Sequence, residues 1–240
     1  MKISVIIPTI NYKYRKATID LIAAQTHKDV EVILVYHSKN TANLAQIPLD
    51  YKHLDSTGLS YIVKEYEDAF NWSKMNNMGA KAATGDILIF MNDDVYLHNQ
   101  DLFSYISDMF SDDKNIGVIG EYHNLSNNLG YYDNNLYLFK EVRGHFQAIR
   151  REDFLKIDGY DESYTLIYSD LTLCFKVWFN LNKVVVGNKR LGIEHHELSS
   201  RGVLEGSRDS EYKDIIRVKK EWFGKKYSGV FDSTKVEFYI

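Results

Sequence analysis

The stretch Phe70–Leu97, FNWSKMNNMGAKAATGDILIFMNDDVYL, constrains this chain more than any other. Ser73 stands where an N-cap is wanted, Met75 to Ala83 are mostly good helix formers, and Gly85 follows as a left-handed stop. The pattern predicts a helix of about three turns. Ile87, Leu88, Ile89, Phe90 and Met91 then form an unbroken apolar run, which predicts a parallel strand covered by helices on both faces. Such a strand is expected to end in solvent, and at its carboxyl end stand Asn92, Asp93 and Asp94. In open α/β sheets, ligands bind in the crevice outside the carboxyl ends of the strands. Adjacent carboxylates repel each other unless a cation sits beside them, and a divalent metal is the simplest occupant. Taken alone, Asp93 and Asp94 also fit as caps for the next helix.

Taken together, helix, glycine, strand and acidic turn resemble the donor-site segment of family 2 glycosyltransferases of the GT-A fold, of the rhamnosyltransferase-like type. In that family the strand ends in an Asp-x-Asp motif carrying a metal that grips the diphosphate of a nucleotide sugar. Here Asn92 replaces the first acid, and the final one, which touches the metal, is kept as Asp94. The resemblance implies an α/β fold with a Rossmann-like, mostly parallel sheet, helices on both faces and a smaller antiparallel element on the acceptor side. It also implies a UDP-, GDP- or dTDP-linked sugar as donor, Mn2+ or Mg2+ as cofactor, and a glycan or lipid-linked acceptor. On the donor side it singles out Pro8, Thr9, Asn11, Tyr36, Ser38, Lys74, Asn77, Asn92 and Asp93, with Asp94 and His195 as metal ligands.

A chain of 240 residues and 27.9 kDa is long enough for one sizeable α/β core, so a single domain over 1–240 is expected. Residues 1–121 would form its nucleotide-sugar half and residues 122–240 its acceptor half. A formal net charge of −4 argues against a nucleic-acid partner. The single cysteine, Cys174, excludes an internal disulfide framework and fits a reducing compartment. No apolar stretch approaches the ~20 residues of a membrane span, so the expected location is the cytoplasm.

Ile3 to Ile7 is an apolar strand closed by Pro8, followed by the loop Thr9–Tyr12 and a helix over Arg15 to Gln25. SVIIPTIN is similar to the family's opening strand, whose following loop meets the nucleoside. No glycine occurs before Gly58, which excludes a Walker or dinucleotide-binding turn in this segment. Val30 to Tyr36 is the next strand, ending in Tyr36-His37-Ser38-Lys39 where the family carries an Asp-rich turn. Tyr36 is placed either as a stacking partner for the base or as a plain rim residue. Leu59 to Tyr66 gives a further strand, and strands alternating with helices imply parallel order with right-handed crossovers.

Past a helix at Asn99–Phe110 and a strand at Ile116–Ile119, the pattern changes. Leu129–Tyr132 and Leu136–Phe139 flank Asp133, Asn134 and Asn135 like a hairpin, and Arg143–Ile149 reads as another strand. The second half is therefore expected to form a separate antiparallel layer.

GYDESYTLIYSDLTLCFKVWFN, beginning at Gly159, is similar to the family's Gly-Phe-Asp-Glu segment and the Glu-Asp pair that opens the following helix. The resemblance makes Asp170 the catalytic general base toward the acceptor hydroxyl, with Ser169 and Thr172 where the family has acids. The plain reading is that Asp170 only caps its helix. Strands at Lys183–Val186 and Leu191–Glu194 lead to His195 and His196, which resemble the family's late His loop. Adjacent residues on a strand face opposite ways, so at most one of the pair reaches the site. The family spacing favours His195; a hydrogen-bonded surface histidine is the alternative. The last helix, Asp209–Phe223, is basic on one side but diluted by Glu211, Asp214 and Glu221. A solvated face and peripheral contact with an anionic membrane both fit it. The reading as a whole is a metal-dependent, inverting glycosyltransferase. Its rival is a non-catalytic sugar-nucleotide-binding protein, and a sugar-nucleotide nucleotidyltransferase is disfavoured by the glycine-free first loop.

Overall fold

The computed structural model describes residues 1–9, 12–39, 44–121, 128–133, 136–165, 167–188, 191–196 and 207–222. Its centre is a nine-stranded sheet in the order β3-β2-β1-β4-β9-β6-β10-β8-β7. The strands are β1 (Ile3–Thr9), β2 (Val30–His37), β3 (Ser60–Tyr66), β4 (Ile87–Met91), β6 (Ile116–Glu121), β7 (Asn128–Asp133), β8 (Leu136–Phe139), β9 (Phe146–Arg150) and β10 (Val184–Asn188). Only β9 and β8 run against the other seven. The helices are α1 (Tyr12–Ala23), α2 (Ile47–Thr57), α3 (Trp72–Ala82), α4 (Leu102–Asp112), α5 (Arg151–Lys156), α6 (Ser169–Leu181) and α7 (Ser207–Trp222). A second, two-stranded antiparallel sheet joins β5 (Val95–Leu97) to β11 (Ile193–His195).

The apolar runs become central strands because both faces are covered. Every residue of β1 and of β4 is buried, and each fully buried isoleucine contributes roughly 2 kcal/mol. Helix α3 lies so close to β1 that a Cβ on Gly79 would run into Ile6. The helix cap lies two residues before the expected one. Asn71 is the N-cap, its Oδ1 accepting the N–H of Lys74 at 2.9 Å. Ser73 Oγ instead donates to the carbonyl of Tyr164 at 2.7 Å. Gly85 is not a left-handed stop either, since α3 ends on an extended Ala83. A Cβ at Gly85 would meet Ser4 and the carbonyl of Lys2, so the glycine is needed for close approach to β1.

The second half forms no layer of its own. The β7–β8 hairpin extends the edge of the main sheet, and β9 is inserted between β4 and β6. The smaller antiparallel element is β5–β11. Helix α2 and strand β5 escaped the sequence reading: α2 is marked only by a proline in its first turn and by Gly58 at its left-handed C-cap, and β5 has three residues. Among the described residues no helix is long and apolar enough to cross a membrane.

Candidate functional site

Four parallel strands in the order β3-β2-β1-β4 bring the carboxyl ends of β1, β2 and β4 to one sheet edge. Thr9, Ser38 and the turn Asn92–Asp94 therefore share an edge, the place where open α/β sheets bind ligands. The turn itself is covered, contrary to the expectation that it opens into solvent. Asp93 and Asp94 are each only 2% exposed. Thr18 of α1 donates its hydroxyl to the carbonyl of Asp93 at 3.0 Å. From the other side, the N–H of His196 donates to the carbonyl of Asp94 at 3.2 Å.

The β5–β11 ladder pairs Val95 with His195, which carries His195 over the acidic turn. Its Nε2 lies 3.1 Å from Asp94 Oδ1 and 3.4 Å from Asn92 Nδ2. His196 turns the other way, stacking on Tyr14 at 5.6 Å and meeting the ring of Tyr96 edge-on at 4.6 Å. His145 stacks on His195, ring on ring, with centroids 4.5 Å apart and planes 10° apart. Its own Nε2 is 2.9 Å from Glu121 Oε2. Sequence reading passed over His145, because its place follows from the β4–β9 pairing of Met91 with Phe146 and not from any local motif.

Asp170 lies in the first turn of α6, with one carboxylate oxygen accepting the N–H of Gly144 at 2.8 Å and the other the N–H of Leu171 at 2.9 Å. The residue before this helix, Tyr168, is held at φ 65°, ψ 0° and leads into buried Ser169. A bulky residue in the left-handed region costs of order 1 kcal/mol and persists only where its surroundings impose it, often at functional sites. Ser169 and Thr172 are each 1% exposed. Ser169 Oγ lies 2.9 Å from Ser73 Oγ, and Thr172 Oγ1 donates to the carbonyl of Ser169 at 3.0 Å. Both are buried residues of α6, and Ser169 faces α3.

Trp72, also absent from the sequence-based site, reaches both the acidic turn and Gly144 beside Asp170. Its Nε1 donates to Asn92 Oδ1 at 3.3 Å. Its ring meets Tyr160 edge-on at 4.9 Å, and its far edge comes so near Gly144 that a Cβ there would lie 3.3 Å from it. Beneath lies a buried network in which Tyr160 donates its hydroxyl to Gln147 at 2.7 Å. Gln147 Nε2 in turn donates to the carbonyls of Val142 and Asp170, at 2.8 and 3.3 Å. Burial, with Asp170 nearby, pushes the Tyr160 hydroxyl well above its ordinary pKa, so it stays a neutral donor.

Two expected donor contacts are corrected. Tyr36 is fully buried, its hydroxyl donating to Asp50 at 2.7 Å beneath the guanidinium of Arg15, so its ring has no face for a base. Asn77 spends its amide on the loop after α5, bonding the N–H and carbonyl of Tyr160 and Glu162 Oε1. Of the others, Pro8 and Thr9 are buried in β1. Ser38 donates its hydroxyl to the carbonyl of Tyr66 at 3.1 Å. Lys74 is half exposed, 3.9 Å from Asp68. Asn11 and the segment Glu197–Arg201 lie outside the described residues.

Among the described residues no group of three His, Cys, Asp or Glu side chains converges to enclose a metal. Asp94 and His195 offer one carboxylate and one imidazole. That is too few for a closed structural site, but it suits an ion that takes its remaining oxygens from a nucleotide's phosphates and from water.

A parallel-led α/β sheet with a polar turn at the end of its central strand and an aspartate-headed helix alongside defines a domain of the GT-A type. The sequence model of glycosyl transferase family 2 matches residues 4–172, and the chain belongs to that family. His195 lies beyond the matched segment. No match was found among the curated proteins. Among solved structures, the fold is similar to a mannosyltransferase from Pyrobaculum calidifontis in complex with GDP-Man and Mn2+, with a TM-score of 0.69 at 15% identity over 90% of this chain and 64% of the other. It is similar also to GalNAc-T7 with UDP, GalNAc and Mn2+, with a TM-score of 0.74 at 17% identity over 93% of this chain and 48% of the other. A third is residues 1–349 of S. aureus TarS in complex with UDP-GlcNAc, with a TM-score of 0.68 at 18% identity over 95% and 68% of the two chains. The chain thus spans 48% to 68% of the length of these structures.

Proposed function

We propose that this protein transfers a sugar from a nucleotide-diphosphate donor to a hydroxyl of a glycan or lipid-linked acceptor, with inversion at the anomeric carbon. The observation that carries the reading is the bridge from Asn92 through Trp72 and Gly144 to Asp170. It brings the acidic turn at the end of β4 and a carboxylate on a helix N-terminus to the two sides of one region. The donor's nucleoside lies over the ends of β1 and β2, near Thr9 and Ser38, with Lys74, Asn92 and Asp93 toward the diphosphate. Asp170 takes the proton from the acceptor hydroxyl. The freed oxygen forms its bond to the anomeric carbon as the bond from that carbon to the diphosphate oxygen breaks, the electron pair leaving with the nucleotide. Both Asp170 oxygens already accept a backbone N–H, which fixes the carboxylate before substrate arrives and so lowers the cost of orientation. Asp94 and His195 would hold a divalent ion, Mn2+ or Mg2+, which when bound stabilises the charge gathering on the leaving diphosphate.

The rival reading as a binding protein without catalysis drew on Asn92, Ser169 and Thr172 replacing acids. Ser169 and Thr172 are buried packing residues here, where a carboxylate would need a partner, so their identity does not empty the site of its base. Calorimetry with UDP, GDP and dTDP, each with and without Mn2+, tests the donor half of the proposal. Binding of none of them would overturn it. Release of nucleotide from the matching nucleotide sugar, accelerated by an acceptor drawn from a glycan panel, tests the transfer half.

A further inference from the structure

His145 touches both the acidic turn and the His195 that meets it, through different atoms. Its backbone carbonyl accepts the N–H of Asn92 at 3.1 Å, so it fixes where the turn leaves β4. Its ring lies flat against His195, 4.5 Å away and 10° from parallel, so it limits how the His195 ring can rotate. His145 is 5% exposed, and its ring is itself anchored, with Nε2 2.9 Å from the carboxylate of Glu121 at the end of β6. The ends of β4 and β6 thus both hold His145, one through Asn92 on its carbonyl and the other through Glu121 on its ring, and that ring stacks on the His195 that meets Asp94. A histidine that meets a metal needs its ring plane and free nitrogen set by its neighbours. Here the ring stacked on His195 sets the plane.

We infer that His145, through the ring it stacks on His195, is a positioning residue for His195 and tunes how tightly the site takes a divalent ion. The inference rests on the reading above that Asp94 and His195 hold that ion. It does not need His145 to touch the ion or the substrate. A purely structural His145 would affect melting but leave ion affinity unchanged in any variant that stays folded.

The experiment is a titration with Mn2+ in the presence of UDP and, separately, of GDP, followed by calorimetry and by the electron paramagnetic resonance signal of Mn2+. The proteins are wild type, Asp94→Ala, His145→Ala and His145→Phe, each checked by thermal melting. If wild type and Asp94→Ala take Mn2+ alike, the metal reading itself fails, independently of His145. If Asp94→Ala loses Mn2+, the expected result for His145→Ala is affinity weaker by about tenfold or more with an altered resonance. His145→Phe keeps a flat ring against His195 and should return affinity to within about threefold of wild type. Wild-type affinity in folded His145→Ala would overturn the inference. So would a folded His145→Phe as weak as the alanine variant, and His145→Phe alone decides if His145→Ala does not fold.

Discussion

The N–H of Gly144 donates to the carboxylate of Asp170 across 2.8 Å, and no side chain can stand at position 144 without pressing on its acceptor. A Cβ there would lie 3.0 Å from Asp170 Cβ, 3.2 Å from Asp170 Oδ2 and 3.3 Å from Trp72. Gly144→Ala should therefore shift both the carboxylate and the indole while leaving the turn at β4 in place. We expect transfer slowed about tenfold to a hundredfold, the scale of a small misplacement at a reacting centre. Nucleotide affinity by calorimetry should be unchanged. Wild-type turnover in this variant would mean that the site has room to spare around Asp170.

How much of this site could be read in advance depends on the range of the interactions. The strand Ile87–Met91 and the turn Asn92–Asp94 were legible because an apolar run and the acids that end it are adjacent in sequence. The helix before it was legible, but its caps were not. Ser73 and Gly85 have the right residue types, yet Ser73 is drawn off to Tyr164 and Ser169, and Gly85 is fixed by contact with β1. Tyr36 was misplaced for a similar reason: Asp50 lies on α2, a helix the sequence marked only weakly, and with Arg15 it draws the tyrosine into the core. Gly144 and His145 carried no local signal. They reach the site because β9 inserts antiparallel between β4 and β6, and its pairing with β4 joins segments more than fifty residues apart.

Asp170→Asn separates chemistry from donor binding. The amide oxygen can still accept from Gly144, but its NH2 then faces the N–H of Leu171, which loses its acceptor. That lost bond costs about 1 kcal/mol and should show as a small drop in melting temperature. Transfer should fall by at least ~10² because the proton acceptor is gone, with nucleotide affinity retained. Turnover within a few-fold of wild type would reduce Asp170 to a helix cap and turn the search to Asp161 and Glu162.

Acid sensitivity is predicted from the opposite edge of the sheet. Burial pushes the Glu31 carboxyl up, but hydrogen bonds from Ser4, the N–H and hydroxyl of Thr84, and Lys2 outweigh it and hold it at about 2, against an ordinary 4.5. Ionised Glu31 therefore stabilises the fold fully above pH 4.5, and the contribution drains away as the pH falls toward 2. Glu31→Gln should lose roughly 2–3 kcal/mol at pH 7. Urea unfolding at pH 7 and pH 3 should show the gap between wild type and variant narrowing in acid. An equal gap at both pH values would refute the assignment.

The donor atoms at the acidic turn predict which ion the protein prefers. Asp94 and His195 offer one oxygen and one nitrogen, and imidazole favours Mn2+ over Mg2+, which is smaller, harder and slow to give up its water. With nucleotide diphosphate present, Mn2+ should bind more tightly than Mg2+ by on the order of tenfold or more. His195→Asp converts the pair to oxygen only, so the preference should narrow, chiefly through weaker Mn2+ binding. Asp94→Ala should weaken both ions, because the carboxylate is the donor they share. Competition calorimetry with both ions on the three proteins gives the comparison directly. Equal affinity of the wild type for Mn2+ and Mg2+, or an unchanged preference in His195→Asp, would remove His195 from the ion's surroundings and leave Asp94 as its one protein ligand among the described residues.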